Sequence, residues 1–439
     1  MPRIVNAVFD VGKTNKKFFL FDENLKEIRH EYFKLSPVAD EDDYPCDDLT
    51  SIVNWVSNTV DGLLNNSDYQ VNTVNFSTYG ATLVHLNDLG KPVTPLYNYL
   101  KPFSKDLAKR FTEAYGLDND LSTASPFLGM LNSGLQLYWL KYSRPDFFRS
   151  IKHTLHFPQY LSYVLTGKVV SEPTSIGCHT KLWDFERKSY HDWVIAEGFK
   201  NLFPDIVPTS TTFEVTRNGK TFRVGVGIHD SSSALASYLM RTPEPFLLVS
   251  TGTWSISMNP FTRESLTPDE LERDCLNYLT IHGEPVKASR LFLGHELDHQ
   301  LQILNKLFDR DTKYYKKIGL NSGFLRAIEG GAVDNLYYPE TLDNKALVVD
   351  VFRPVRWDPS CCSSYEEAYH HVLWGLVRMQ VASIRLALGN SRIKRIFVDG
   401  GFVDNAIYIS LLRHFLPDFT VEASHAPLGS AYGAAAVVQ

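Results

Sequence analysis

Short runs of apolar residues alternate with polar turns at the start of this chain. A strand is predicted from Arg3 to Phe9 and its return from Lys17 to Phe21, with residues 10–16 as the turn between them. Two further strands are predicted at 72–76 and at Val224–Ile228, and the second is apolar except for two glycines. Several of these predicted strands lead directly into polar or glycine-containing turns.

Helical periodicity begins near residue 130. Apolar residues at helical spacing predict a helix that ends at Arg144-Pro145, and a second predicted helix is stopped by Gly167. Later in the chain, Ser363-Ser-Tyr-Glu366 is a predicted capping box, and it begins a long helix that ends at Gly389-Asn390. Strands and helices of this kind predict an α/β protein.

A hairpin with a glycine-containing turn occurs twice along the chain, around Gly12 and around Gly252. Arg241-Thr-Pro-Glu-Pro245 breaks the periodicity between the two halves. The 439 residues also exceed what one hydrophobic core usually supports. The sequence therefore predicts two structurally similar domains, residues 1–241 and residues 246–439.

Composition and charge are those of a soluble globular protein, with 44% hydrophobic and 21% charged residues. A net charge of -6 and a pI near 6.2 give no electrostatic reason to expect nucleic acid or an anionic membrane as a partner. Five cysteines without a CxxC pair indicate a reducing compartment. No apolar stretch reaches the roughly 20 residues of a spanning helix, and the N-terminus lacks a secretory apolar region. We therefore expect a cytoplasmic protein.

The first turn, Asp10-Val-Gly-Lys-Thr-Asn-Lys16, carries residue types suited to binding a phosphate. Its glycine lets the backbone approach an anion closely, while exposed N–H groups, a hydroxyl and ammonium groups can hold phosphate oxygens. The candidate phosphate contacts are Gly12, Lys13, Thr14, Asn15 and Lys16. Asp10 is placed to hold Mg2+ through water, because Mg2+ keeps much of its hydration shell. An ordinary polar hairpin turn is the alternative interpretation.

The second turn, Ser250-Thr-Gly-Thr-Trp-Ser255, lies between strands predicted at Phe246–Ser250 and Trp254–Met258. Its hydroxyl and N–H donors carry no charge, which suits close contact with a nucleotide phosphate. The candidate contacts are Thr251, Gly252 and Thr253. A threonine-rich hairpin without a ligand is the alternative interpretation.

A third turn, Asp399-Gly-Gly401, follows a strand predicted from Arg395. Gly400 and Gly401 allow a flat ring to lie against the backbone, and Asn405, which opens the next predicted helix, can hydrogen-bond the edge of an adenine. A strand-to-helix turn that uses its glycines for close packing is the alternative.

Asp230 is the candidate general base, because it follows a predicted strand and precedes three serines. It can take the proton of a hydroxyl group as that group attacks phosphorus, a reaction that otherwise needs mainly positioning and charge neutralisation. The alternative is a helix N-cap, and the two roles are compatible. His229 can hydrogen-bond substrate hydroxyls or be an ordinary internally bonded histidine.

His295-Glu-Leu-Asp-His299 matches the H-E-x-x-H pattern of zinc hydrolases, with His295 and His299 as ligands and Glu296 as base. Two observations weigh against zinc: Asp298 adds a charge within the motif, and no third ligand stands out downstream. A helix that lines a cleft or the surface is the alternative interpretation.

These stretches, in this order, resemble the FGGY carbohydrate kinases, and within them the rhamnulokinase and fuculokinase branch. The resemblance spans essentially the whole chain. It is carried by Phe9-Asp-Val-Gly-Lys-Thr14, Gly227-Ile-His-Asp-Ser231, Ser250-Thr-Gly-Thr-Trp-Ser255, Asp399-Gly-Gly401 with Asn405, and Pro427-Leu-Gly-Ser-Ala-Tyr-Gly-Ala-Ala-Ala436. It implies an α/β fold of two actin-like (ribonuclease H-like) domains, each a mixed sheet flanked by helices, with an interdomain cleft.

The resemblance also implies roles for individual residues. Asp230 falls on the family's catalytic base and Asp10 on its metal-associated acid, while Tyr79, Gly80 and His229 fall near the sugar. The first domain would bind the sugar and the second the nucleotide. In many relatives an acid after the Gly-x-Pro turn binds sugar hydroxyls, but here Leu96-Tyr-Asn-Tyr-Leu-Lys101 contains none.

The sequence therefore predicts a kinase that uses ATP and Mg2+ to phosphorylate a hydroxyl group of a small sugar. The resemblance favours a ketose or deoxy-ketose such as L-rhamnulose or L-fuculose. A non-catalytic sugar sensor of the same fold, an ATPase of that fold and a zinc hydrolase are the alternatives. No nucleic acid or membrane partner is expected, and a homodimer is left open.

Overall fold

Two compact units, each built on a mixed β-sheet, make up the computed structural model of this chain. The structure describes residues 1–116, 118–330, 337–342, 344–353, 356–424 and 429–439. Pro427 and Leu428, which open the last stretch of the family resemblance, lie outside the described residues.

Strands and helices are numbered separately, each in chain order. The strands of the described residues are β1 (Arg3–Val11), β2 (Lys16–Asp22), β3 (Glu27–Phe33), β4 (Val38–Ala39), β5 (Pro45–Cys46), β6 (Tyr69–Thr78), β7 (Leu83–Leu86), β8 (His153–His156), β9 (Trp183–Asp184), β10 (Ser189–Tyr190), β11 (Thr212–Arg217), β12 (Lys220–Gly225), β13 (Ile228–His229), β14 (Phe246–Thr251), β15 (Ser255–Asn259), β16 (Cys275–Leu279), β17 (Pro285–Leu291), β18 (Arg395–Gly400) and β19 (Thr420–Ala423). The helices are α1 (Leu49–Asn65), α2 (Lys105–Tyr115), α3 (Asp118–Ser122), α4 (Ser133–Ser143), α5 (Pro145–Arg149), α6 (Phe157–Thr166), α7 (Pro173–Ile176), α8 (Asp192–Ala196), α9 (Asp230–Leu239), α10 (Pro268–Glu272), α11 (Leu293–Leu307), α12 (Ser322–Glu329), α13 (Lys345–Val351), α14 (Tyr365–Leu388), α15 (Ala406–Phe415) and α16 (Gly429–Val437). Short 3₁₀ turns cover Gly129–Leu131, Phe199–Leu202, Tyr314–Lys317 and Pro359–Cys361.

The first unit contains residues 1–243, 277–285 and 429–439. Its sheet has the order β11-β12-β6-β1-β2-β3, with β13 pairing to β6. Apolar side chains of α1 and α6 pack on one face of this sheet. Small residues of α16 pack with Val8 and Phe19 on the other face. The result is a helix–sheet–helix sandwich.

Parallel pairing brings three strand ends together in this unit. β1 and β13 both run parallel to β6, which lies between them, and Asp10 pairs with Ser77 while His229 pairs with Thr78. Asp230 follows immediately as the first residue of α9. In α/β sheets, the carboxyl ends of parallel strands are where ligands bind, so this edge of the sheet is the candidate site.

The second unit contains the described residues of 244–276 and 286–424. Its sheet has the order β16-β17-β15-β14-β18-β19, in which β14 pairs antiparallel with β15 and parallel with β18. The hairpin β1–β2 beside the parallel β6 repeats this arrangement in the first unit. The predicted similarity of the two halves is therefore confirmed at the level of sheet topology.

Several predicted elements differ in detail from the observed ones. The strand predicted at Val224–Ile228 is broken, because Gly227 has a φ of +83° and its Cα approaches the backbone of Pro158 too closely for a side chain. Between the helix predicted to end at Arg144-Pro145 and the one predicted to stop at Gly167, the chain also forms the short strand β8, which pairs with β7. The cap of α14 is Ser364, which accepts from the N–H of Glu367, one residue later than predicted.

The boundaries of the compact units also differ from the two continuous domains expected from the sequence. Residues 277–285 and 429–439 pack within the first unit although they follow the expected boundary at 241–246. The periodicity of apolar residues cannot indicate that a later segment returns to the first unit, because it shows which residues are buried and not which sheet they pack against. Among the helices of the described ranges, none combines the length and apolar character needed to cross a membrane.

Candidate active site

The two carboxylate oxygens of Asp230 differ in their hydrogen bonds. Oδ1 accepts hydrogen bonds from the N–H of Ser231 at 2.6 Å and from the Ser231 hydroxyl at 3.3 Å, and it lies 3.2 Å from Nε2 of His229. Within the described ranges, no group donates to Oδ2. The side chain remains 31% exposed, so a ligand can reach it. Asp230 is the first residue of α9 and His229 holds the cap position, so the predicted N-cap role for Asp230 was wrong by one residue.

The pKa of Asp230 is raised to about 6, because burial removes water from around the charged form. Burial also raises the pKa of Asp10 to about 6, and the charge of Asp230 adds to that effect. Lys17 and a hydrogen bond from the Ser430 hydroxyl at 3.0 Å act in the opposite direction on Asp10. Two interacting carboxyl groups therefore lie at the carboxyl ends of β1 and β13.

His229 is neutral, because burial lowers its pKa to about 3. Nε2 of His229 is hydrogen-bonded to Sγ of Cys178 at 3.0 Å, and it also lies 3.2 Å from Oδ1 of Asp230. A Cβ on Gly80 would lie 2.6 Å from that sulfur and 3.1 Å from Cδ2 of His229. The structure thus brings together Gly80, His229 and Asp230, which the sequence proposed for the sugar.

The first turn is held by a residue that the sequence analysis missed, Asp47. Its carboxylate accepts from Nζ of Lys16 at 3.2 Å, from the hydroxyl of Tyr79 at 2.6 Å and from Nζ of Lys13 at 3.4 Å. The Lys16 ammonium is buried and also donates to the carbonyl of Lys13 at 2.8 Å. Lys16 therefore fixes the turn from inside, whereas Thr14 and Asn15 are exposed at its tip.

Lys13 is less tightly held than Lys16. Its side chain is 23% exposed, and its ammonium lies over the rings of Tyr79 and Tyr99 at 5.2 and 5.4 Å from their centroids. Its bond to Asp47 is long and goes to the same oxygen that Tyr79 occupies. Thr14 and Asn15 are thus exposed to an anion, Lys13 would meet one by exchanging its long bond to Asp47, and the hydroxyl of Tyr79 is bonded to Asp47.

The residues present fit a hydrated magnesium ion. Asp10 offers a carboxylate at a strand end, with Ser430 occupying one oxygen. Across the residues that the structure covers, no group of three or more His, Cys, Asp or Glu side chains forms a protein-only metal cage. Mg2+ binds through one or two carboxylates together with water and substrate phosphates, so the donor set at Asp10 suits it.

The second and third turns form one structure in the second unit. The hydroxyl of Thr251 donates to the carbonyl of Asp399 at 2.6 Å and accepts from the N–H of Phe402 at 3.0 Å. The N–H of Gly401 donates to the carbonyl of Thr251 at 2.8 Å. Gly400 has a φ of +92°, and a Cβ there would lie 1.9 Å from that carbonyl oxygen. The turns predicted for phosphate and for the nucleotide base therefore lie side by side.

Asn405 is the N-cap of α15. Its Oδ1 accepts from the N–H of Tyr408 at 3.2 Å, and its Nδ2 donates to the hydroxyl of Tyr369 at 2.8 Å. The predicted helix start at this residue is confirmed. Its contact with an adenine stays a prediction, and such a contact would share a side chain that already stabilises the helix.

The HELDH segment lies on α11, and its glutamate is fully buried. The Glu296 carboxylate accepts from the hydroxyl of Tyr337 at 2.6 Å, and from the N–H and hydroxyl of Thr341, each at 2.6 Å. His299 lies 2.9 Å from a carboxylate oxygen of Glu340. These contacts give Glu296 a structural role, and they leave it unable to act as the base of a zinc site.

Comparison with known proteins identifies the class. Residues 5–233 match the N-terminal domain of the FGGY family of carbohydrate kinases, and residues 243–316 match the C-terminal domain of the carbohydrate kinase FGGY. The first match alone covers just over half of the 439 residues. The chain belongs to the FGGY family of carbohydrate kinases.

The chain is also similar to individual sugar kinases. A rhamnulokinase of Oceanobacillus iheyensis is 27% identical over 268 residues, which cover 57% of this chain and 55% of that protein. The aligned region thus spans little more than half of the relative. A crystal structure of a carbohydrate kinase from Novosphingobium aromaticivorans has a TM-score of 0.81 at 23% identity, covering 100% of this chain and 92% of that one.

The fold extends to more distant proteins. A ligand-bound xylulose kinase from Lactobacillus acidophilus has a TM-score of 0.80 at 13% identity, covering 99% of this chain and 89% of that one. At such identities the similarity establishes the fold alone. The actin-like fold of the sugar kinases, expected from the sequence, is confirmed.

Proposed function

We propose that this chain transfers the γ-phosphoryl group of ATP to a hydroxyl group of a small sugar, with Asp230 as the general base. The observation that carries this proposal is that one oxygen of the Asp230 carboxylate is hydrogen-bonded and the other is available. Ser231 donates to Oδ1, while Oδ2 has no donor among the described residues, at the edge of the sheet where β1, β6 and β13 end. A base needs one oxygen fixed and the other available, and Asp230 meets both conditions.

Proton transfer from the sugar would go to Oδ2 of Asp230. Its raised pKa makes it a stronger base than an ordinary aspartate, yet it is still ionised at neutral pH. Ser231 would keep the carboxylate oriented through its bonds to Oδ1, and His229 would lie with Gly80 beside the sugar hydroxyls. The attacking oxygen gains nucleophilicity as its proton leaves.

The negative charge of the phosphates would be neutralised by the turns and by the Mg2+ ion that Asp10 holds. Asp10 would hold Mg2+ through water, and the ion when bound would neutralise charge on the phosphates. The N–H groups of residues 12–15, together with Lys13 and Thr14, would hold the transferred phosphoryl group. We assign the nucleotide to the second unit, with Thr251, Gly252 and Thr253 at its phosphates and Gly400, Gly401 and Asn405 at its base.

A ketose or deoxy-ketose such as L-rhamnulose or L-fuculose is the proposed substrate class. The support is the relative named rhamnulokinase and the His229-Asp230 pair that resembles that branch. An ADP-release screen of the purified protein against ketoses, aldoses and polyols tests both levels of the proposal. Release of ADP that depends on one of the ketoses is the expected result. Release without any sugar would indicate an ATPase, and sugar binding without release would indicate a sensor.

The rate of phosphorylation should fall as the pH drops through about 6. A base works in its ionised form, and burial raises the pKa of Asp230 to about 6, so the active form is lost below that pH. Asp10 titrates in the same range and interacts with Asp230, so the apparent pKa belongs to the pair. A kcat profile at saturating sugar and MgATP measures it. An acid limb near pH 4, the ordinary range of aspartate, would contradict this account.

Replacing His299 with alanine should leave phosphorylation within about 2-fold of the wild type, because surface ion pairs contribute little. His299 touches Glu340 at the surface of α11 and none of the residues assigned to the reaction. Steady-state kinetics, paired with elemental analysis for zinc, checks both points. Stoichiometric zinc that disappears together with activity in this variant would revive the hydrolase alternative.

A further inference from the structure

The backbone of His229, next to the proposed base, is held by a buried side chain from another segment of the first unit. The N–H of His229 donates to the hydroxyl oxygen of Thr174 at 3.1 Å. The Thr174 hydroxyl in turn donates to Oε1 of Glu172 at 2.7 Å. Thr174 and Glu172 are fully buried and His229 is 3% exposed, so water does not replace these bonds.

Glu172 fixes the orientation of the Thr174 hydroxyl. We call the chain of hydrogen bonds from Glu172 through Thr174 to the N–H of His229 the relay. Its carboxylate also accepts from the N–H of Thr174 at 2.9 Å, from the N–H of Ser175 at 2.6 Å and from the hydroxyl of Thr209 at 2.9 Å. A carboxylate only accepts, so the proton of the Thr174 hydroxyl points to Glu172. The lone pairs of that hydroxyl are then directed at the N–H of His229.

The strand that carries the base needs such a support. β13 is two residues long, and its register partners on β6 are Ser77 and Thr78. Asp230 is the next residue along the chain and the first residue of α9. A shift of the His229 backbone would therefore also move the Asp230 carboxylate. Misplacement of a reacting group by about 1 Å can cost on the order of 100-fold in rate.

We propose that Thr174, oriented by Glu172, is a positioning residue for the proton transfer to Asp230. This inference rests on the proposed kinase function. Thr174 does not touch the reacting atoms. It fixes the junction of β13 and α9, so that Oδ2 of Asp230 faces the sugar while Oδ1 stays bonded to Ser231.

Two substitutions at Thr174 test the relay, with a matched control at Thr209. Thr174→Val keeps the shape and removes the hydroxyl, so kcat should fall about 10- to 100-fold while KM for ATP stays within about 2-fold. Thr174→Ser restores the hydroxyl and should return kcat to within about 3-fold of the wild type. Thr209→Val removes a hydroxyl from the same carboxylate without touching His229, and its kcat should stay within about 2-fold.

Thermal unfolding of each variant separates positioning from stability. Both valine variants leave the buried Glu172 with one donor fewer, and Thr174→Val also leaves the N–H of His229 without its acceptor, so Thr174→Val should be the less stable of the two. Equal loss of kcat in both, or failure of the serine variant to recover, would overturn the relay. If the wild type shows no sugar-dependent ADP release, the kinase proposal itself fails. If Asp230→Ala abolishes turnover and Thr174→Val does not, only the relay fails.

Discussion

Replacing Asp230 with alanine is expected to lower kcat for sugar phosphorylation by about 1000-fold or more, because a general base contributes roughly 10²–10⁴-fold. The substitution removes the available oxygen, Oδ2, and also removes the acceptor for the N–H and hydroxyl of Ser231. Sugar binding should change only a few-fold, because His229 and Gly80 remain in contact distance of one another. Steady-state kinetics gives kcat, and calorimetry with the sugar alone gives the binding constant.

Asp230→Asn is the matched control. The amide keeps the size and one acceptor oxygen for the N–H of Ser231, but it cannot take a proton from a hydroxyl group. Both variants should therefore be inactive to a similar extent, although the asparagine variant should be folded as stably as the wild type or more so. Turnover by either variant within about 10-fold of the wild type would remove Asp230 from the role of base.

Replacing Asp10 with asparagine is expected to lower kcat by about 100-fold and to raise the Mg2+ concentration needed for half-maximal rate. Removing one preorganised electrostatic group from an active site typically costs roughly 10²–10³-fold. The carboxylate is buried and its pKa is raised to about 6, so its charge would be stabilised by a nearby cation. An amide has no net charge and holds hydrated Mg2+ more weakly. Titration of the rate with MgCl2 at fixed ATP measures the effect.

Asp88→Asn serves as the control for this charge change. Asp88 is an exposed aspartate of the same unit and is none of the residues assigned to the reaction. Its replacement should leave both kcat and the Mg2+ requirement within about 2-fold of the wild type, as expected of surface substitutions. If Asp10→Asn behaved in the same way, Asp10 would have no part in metal binding.

The strands and turns of the proposed site could be predicted because each has a local cause. The hairpin of β1 and β2 follows from alternating apolar residues around Gly12, and the cap at Asn405 follows from its residue type. The position of Asp230 after a buried apolar run indicated a strand end. The structure adds the parallel pairing of β1 and β13 with β6, which places Asp10 and His229 on either side of that strand.

Other parts of the site could not be predicted, because their causes lie far away in the sequence. Asp47 holds Lys16 and Tyr79 across 31 and 32 residues, and nothing in the pattern around it sets it apart from Asp48, which caps α1. Thr174 reaches His229 across 55 residues. Lys16 was predicted to contact phosphate from its place in the turn, whereas its buried ammonium is bonded to Asp47. Side-chain direction decides such roles, and spacing alone does not report it.

The position of α16 has a consequence for biosynthesis. Ser430 donates to Asp10, the backbone of Ala434 accepts from Asn75, and a Cβ on Gly433 would lie 1.8 Å from the carbonyl of Ser233. When residues 1–243 have emerged from the ribosome, both carboxylates are therefore present, but α16, which completes their surroundings, has not yet been synthesised. Folding of that unit cannot finish vectorially during translation. A fragment designed to isolate it should carry residues 429–439 on a linker, since without them Asp10 would lose its hydroxyl partner.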